Sequence, residues 1–185
     1  MIFNSNKQIV ISFILLISSA FFFLNPVLAE TVELANINEK APQFILDGYS
    51  NKIKSKIEWS LKENRGQWLV LYFYPKDFTS GCTIEAKGFQ RLNKKFTMLN
   101  TNVIGISTDN ADSHKDFCKN KNLEFTLLTD VDGNISKKYN SWNLTTPKRN
   151  TFLIDPAGII RYRWTSVNPT SHPNEVIEKL KRLQS

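Results

Sequence analysis

The chain has 185 residues and a formal net charge of +7, with 41 % hydrophobic and 12 % aromatic side chains. Its positive charges are scattered in small groups such as Lys52/Lys54/Lys56 and Lys179/Lys181/Arg182. No basic stripe interleaved with aromatics emerges, so nucleic acid is not an expected partner. There are two cysteines, Cys82 and Cys118, and no C-x-x-C pair, which argues against a thioredoxin-type disulfide exchanger.

Residues 1–29 read as an export signal. Lys7 precedes the 16-residue apolar run "IVISFILLISSAFFFL", and "NPVLA" then ends in small residues, the pattern of a signal cleaved before Glu30. An uncleaved anchor is the competing reading, but the run falls short of the ~20 residues that span a bilayer. Asn25–Pro26 would also end its helix. The rest, residues 30–185, suits a single domain with one core and no stable membrane contact once the signal is gone. A periplasm or a thylakoid lumen is the expected location, with secretion a further option. Both are compartments in which a disulfide can persist.

After residue 66 the chain alternates between two hydrophobic periods. Residues 67–74, "QWLVLYFY", form a nearly continuous apolar run, as expected of a strand buried on both faces and stopped by Pro75. Residues 83–99 place Phe89, Leu92, Phe96 and Leu99 three or four apart, which predicts a helix with a Phe/Leu stripe. Strands are predicted at 102–108, 125–130, 151–155 and 159–164, and helices at 111–121, 134–141 and 171–183. The "PAG" turn at 156–158 makes the last two strands a hairpin. Parallel strands need helical crossovers. This order therefore predicts an α/β protein of thioredoxin-like layout, with a mixed central β-sheet flanked by helices.

Cys82 falls at the first turn of the long helix, directly after "YPKDFTSG". First-turn N–H groups lack intrahelical partners and carry partial positive charge, so a thiolate is favoured there. Thr79 and Ser80 can bring hydroxyls near the sulfur, and Gly81 permits close backbone approach. Each residue also has a plainer reading: Thr79 or Ser80 as a helix cap, Cys82 as a small hydrophobe. His114 precedes Cys118 by one helical turn, but two ligands do not make a metal site, and His114 is expected at the surface or in a cap.

Taken together, Pro75-x-x-x-Thr79-x-x-Cys82 matches the P-x-x-x-T-x-x-C signature of the peroxiredoxins. The longer stretch "VLYFYPKDFTSGCTIEAKGF" resembles the peroxiredoxin Q branch, also called bacterioferritin comigratory proteins. The likeness runs from "APQFILDG" through "STD", "HKDF" and "FTLLTD" to "RNTFLIDPAG", over nearly all of residues 30–185. It implies a monomeric thioredoxin-fold thiol peroxidase, without metal or other cofactor. Such an enzyme reduces hydrogen peroxide and organic hydroperoxides and is recycled by a thioredoxin-like thiol reductant. By the same resemblance Cys82 is the peroxidatic cysteine and Thr79 the hydroxyl that bonds sulfur and peroxide. Pro75 is the shielding proline, Arg149 the arginine that steadies the thiolate and the transition state, and Glu85 the acid that orients Arg149.

Many relatives carry a resolving cysteine five residues after the peroxidatic one, where this chain has Lys87. Some members of the branch place it in the helix that here holds Cys118, which is therefore the expected resolver through an intramolecular disulfide. A static structural disulfide and an inert Cys118 are the alternatives. Ser80 stands where proline is common, and residues 139–150, "YNSWNLTTPKRN", depart from the usual run before the arginine. Two functions compete with the peroxidase: a thiol–disulfide carrier or redox sensor using the same pair, and a non-catalytic binding module.

Overall fold

In a computed structural model the chain is described for Met1 and residues 34–185. The export segment expected over residues 1–29 thus falls, Met1 aside, outside the described residues. The elements begin with a hairpin, β1 (Ile45–Ser50) and β2 (Ser55–Ser60), then a 3-10 turn (Leu61–Asn64) and β3 (Trp68–Phe73). Next come α1 (Ser80–Met98), β4 (Thr101–Ser107), α2 (Ala111–Lys121), β5 (Thr126–Thr129) and α3 (Asn134–Lys138). A two-residue pair follows, β6 (Trp142–Asn143) and β7 (Thr146–Pro147), and then β8 (Thr151–Ile154), β9 (Ile160–Trp164) and α4 (His172–Gln184).

Seven strands form one mixed sheet in the order β2-β1-β5-β4-β3-β8-β9, while β6 and β7 pair separately. β3, β4 and β5 run parallel, joined by the crossover helices α1 and α2. β8 lies antiparallel to β3 on one side, and β1 antiparallel to β5 on the other. β3 is buried on both faces because its period-2 alternation supplies apolar side chains to each. Val70, Tyr72 and Tyr74 join Phe89, Phe96, Phe117 and Leu180 in one core. Leu69, Leu71 and Phe73 join Phe44, Ile104, Tyr139 and Phe152 in the other.

The predicted α/β order holds, and the differences are local. The β1–β2 hairpin was not expected, because "SKIEWS" is a half-exposed edge strand whose sequence alternates weakly. Helix α3 stops at Lys138, short of the predicted 141, because Asn140 turns left-handed (φ 51°) and Ser141 N–H donates back to Ser136 O. Helix α1 starts three residues earlier than its apolar stripe suggested, at Ser80, which places Cys82 inside its first turn. Close packing of α4 on α1 depends on Gly88, where a Cβ would lie 2.7 Å from Pro173 Cγ. Among the described residues no helix is long and apolar enough to cross a membrane.

The start of α4 holds a second buried histidine. His172 Nε2 lies 2.7 Å from Thr151 Oγ1, and the ring packs edge-on against Phe89 and Trp164. Burial pushes its pKa down from 6.5 to about 4, against a weaker upward pull from Glu175. Between those values the unfolded chain binds the extra proton, so His172 contributes stability at neutral pH that is lost as the pH falls towards 4. In urea titrations, the stability advantage of wild type over His172→Gln should shrink by about 3 kcal/mol from neutral pH to about pH 4. A pH-independent difference would show that His172 does not titrate in this way.

Candidate active site

Pairing of β8 with β3 builds the site. Thr151 sits opposite Tyr72, and Phe73 N–H donates to Asn150 O at 2.8 Å, so the residue just before Asn150 reaches the loop that follows β3. That residue is Arg149. The loop ends at Thr79, the N-cap of α1, and Cys82 is the third residue of the helix. Glu85 follows three residues later, on the same helical face.

The three side chains meet. Arg149 Nη2 donates to Cys82 Sγ at 3.3 Å, and Nη1 donates to Glu85 Oε2 at 2.6 Å. Cys82 is 1 % exposed and Glu85 is fully buried, while the Arg149 side chain keeps 16 % of its surface open. The guanidinium therefore forms a partly open edge over an otherwise closed sulfur. Burial raises the Glu85 pKa to about 7, and the charge and hydrogen bond of Arg149 pull it only part of the way back. For Arg149, burial opposes the charge, but Glu85 and Cys82 more than offset it and hold the guanidinium protonated. Gly81 leaves the room this requires, since a Cβ there would stand 3.3 Å from Arg149 Nη2.

The other expected residues lie nearby. The Thr79 side chain makes no cap hydrogen bond; its Oγ1 donates to Lys76 O at 3.0 Å, and the residue is exposed. No side chain from Thr79 therefore covers the first-turn N–H groups around Cys82. Pro75 is half-buried at the end of β3. Cys118 is fully buried in the same core cluster as Cys82, and both are free thiols, so no static disulfide joins them here. Burial, and secondarily the charge of Asp77, pushes the Cys118 pKa up to about 12.

One expectation is overturned. His114 is neither a surface nor a capping residue: it is fully buried, and its Nδ1 lies 2.9 Å from Asp77 Oδ2. The N-cap of α2 is Asn110, whose side chain accepts from Asp112 N–H and Ser113 N–H. Asp77 is the residue that reading the sequence missed. It lies within the Pro75–Cys82 motif, yet only the folded chain brings it to a partner 37 residues away. Among the described residues no group of three or more His, Cys, Asp or Glu side chains is placed to hold a metal ion.

Residues 37–163 match the family model described as the AhpC/TSA family. The chain belongs to that family. Within it the chain is 34 % identical over 156 residues to peroxiredoxin Bcp of Bacillus subtilis (strain 168), covering 80 % of this chain and 96 % of that protein. It is 37 % identical over 157 residues to a putative peroxiredoxin bcp of Helicobacter pylori (strain ATCC 700392 / 26695), covering 80 % of this chain and all of the relative. A cysteine-to-serine mutant of Xylella fastidiosa PrxQ superposes with a TM-score of 0.73 at 30 % identity, over 82 % of this chain and 98 % of that one. These likenesses establish a peroxiredoxin of the Bcp/peroxiredoxin Q kind on a thioredoxin-like fold. Its enzyme class is that of a peroxidase oxidoreductase.

In this peroxiredoxin the Glu85–Arg149 pair fixes where the guanidinium sits. Glu85→Ala should slow the reaction of reduced protein with hydrogen peroxide on the order of 100-fold in stopped-flow mixing, because an unanchored guanidinium loses its alignment. Protonation of Glu85 weakens its hold on Arg149. The wild-type rate should therefore fall on acidification through about pH 7, and Glu85→Gln should flatten that change. Equal rates for wild type and Glu85→Ala would rule out an orienting role.

Proposed function

We propose that this chain reduces hydrogen peroxide and organic hydroperoxides through Cys82, with Cys118 as resolving thiol and a thioredoxin-like dithiol as the external reductant. The observation that carries the reading is the Arg149 guanidinium shared between Cys82 Sγ and Glu85. A Xanthomonas campestris bacterioferritin comigratory protein gives further support. It was solved in trapped intermediate and ligand complexes for its alkyl peroxide reduction activity, and it superposes with a TM-score of 0.67 at 29 % identity, over 69 % of this chain and 87 % of that one.

The chemistry follows from the arrangement. Ionised Cys82 Sγ attacks one peroxide oxygen; an S–O bond forms as the O–O bond breaks. The departing oxygen leaves as hydroxide or alkoxide and takes a proton to become water or alcohol. Sulfur gives up two electrons and becomes a sulfenic acid. Negative charge moves from sulfur to the departing oxygen during this step. Arg149 and the first-turn N–H groups of α1 are fixed donors that meet that charge without reorganising. Cys118 then displaces hydroxide from the sulfenic sulfur to close a disulfide, which an external dithiol reopens. The Lys7-led apolar run and small-residue site of residues 1–29 support the reading that this antioxidant work takes place outside the cytoplasm, and the enzyme proposed is a monomer.

The test is direct. Reduced protein receives one equivalent of hydrogen peroxide, and its thiols are mapped by mass spectrometry. Wild type should yield a Cys82–Cys118 disulfide, Cys118→Ser a Cys82 sulfenic acid, and Cys82→Ser no reaction. Arg149→Met should slow the first step on the order of 100- to 1000-fold, the usual effect of removing one oxyanion donor. A wild-type rate no greater than that of free cysteine would defeat the assignment. Rapid oxidation by protein disulfides with little peroxide consumed would favour a disulfide carrier instead.

A further inference from the structure

The peroxide step makes no use of His114, yet both of its ring nitrogens have partners in the core. Nδ1 lies 2.9 Å from Asp77 Oδ2 and Nε2 lies 3.2 Å from Leu128 O. Asp77, 3 % exposed, belongs to the loop that leads into Cys82. Its carboxylate also accepts from Ser113 Oγ at 2.7 Å and from Tyr74 OH at 2.8 Å. Its N–H donates to Asp109 Oδ2 at 2.8 Å. One buried carboxylate thus collects donors from the end of β3 and from the first turn of α2. Asp109, two residues ahead of α2, ties the same loop from the other direction.

α2 is the helix that carries Cys118, one turn beyond His114. In this arrangement Cys118 is a fully buried thiol whose ionisation is opposed by burial and by Asp77. It cannot act as a nucleophile until α2 moves away from both. Each hydrogen bond in the cluster is modest alone. Breaking one leaves a buried donor or charge without a partner, so the cluster opens as a unit.

We propose that Asp77, His114 and Ser113 form a latch that pins α2 to the Cys82 loop and sets the rate at which Cys118 closes onto oxidised Cys82. His114 and Asp77 are here positioning residues. The proposal rests on the reading of Cys118 as resolver. When the latch opens, Cys118 loses a proton and its thiolate attacks the Cys82 sulfenic sulfur. The S–S bond forms and the S–OH bond breaks; the expelled hydroxide and the released proton make water. The Cys118 sulfur is oxidised and the Cys82 sulfur reduced, with no further reagent. While the latch stays shut, the sulfenic acid is open to a second peroxide, which would carry it to the sulfinic acid.

The experiment compares wild type with His114→Ala, His114→Asn, Ser113→Ala and, as a control for general destabilisation, Leu180→Ala in α4. Three quantities are read: the first-step rate, the rate of disulfide closure after rapid quenching, and amide hydrogen exchange along α2. His114→Ala should close about tenfold faster and exchange its α2 amides about tenfold faster. Its first step should stay within about twofold of wild type. His114→Asn, whose amide can still donate to Asp77, should stay near wild type. Ser113→Ala, which removes a single donor, should fall between, and it carries the test if His114→Ala does not fold.

Unchanged closure in His114→Ala, or in Ser113→Ala if that variant stands in for it, overturns the latch. So does an equal acceleration in Leu180→Ala. Absence of any Cys82–Cys118 bond in wild type is a different failure. It removes Cys118 as resolver, and the latch falls with it, whatever the exchange data show.

Discussion

A guanidinium suspended between a buried carboxylate and a buried sulfur is the constraint on which this molecule turns. Arg149 can hold that position only because β8 runs antiparallel to β3 in the observed register, and because α1 begins where β3 ends. A slip of one residue in β8 would turn its side chains to the opposite faces of the sheet and shift the segment that leads Arg149 to Cys82. The seven-stranded sheet is therefore more than a platform: its strand order decides which side chain meets Cys82.

The two cysteines sit in one core but in different electrostatic settings. Cys82 has a cationic neighbour and the open N-terminus of a helix. Cys118 has burial and the Asp77 carboxylate against it. Under the proposed roles, this asymmetry divides the labour between them before any peroxide arrives. In the proposed mechanism the first sulfur meets the peroxide, while the second waits for its helix to be released. The division does not come from the cysteines themselves, which are chemically identical, but from neighbours supplied by β8 and by the loop after β3.

How much of this was legible in the sequence depended on how far apart the interacting residues lie. β3, β4 and the stripe of α1 were plain because burial on both faces, or along one helical face, leaves a continuous or periodic apolar pattern. The β1–β2 edge was not, since a half-exposed strand can be lysine-rich and still pair through its backbone. Glu85 beside Cys82 follows from helical spacing alone. Arg149 does not: it stands 67 residues from Cys82, and only the family resemblance singled it out. The Asp77–His114 pair left no trace in spacing or composition. Nothing local distinguishes a histidine that caps a helix from one whose partner arrives from another loop.

Glu85 itself has a wider implication. One of its oxygens holds Arg149, and the other is enclosed with no hydrogen-bond partner among the described residues. An enclosed carboxylate with an idle oxygen, its acidity weakened towards neutrality, is a poor way to make a fold durable. Apolar residues in place of both Glu85 and Arg149 could be neutral or stabilising, whereas losing Glu85 alone would leave the guanidinium uncompensated. The pair therefore cannot be dismantled one member at a time without stranding a partly buried charge.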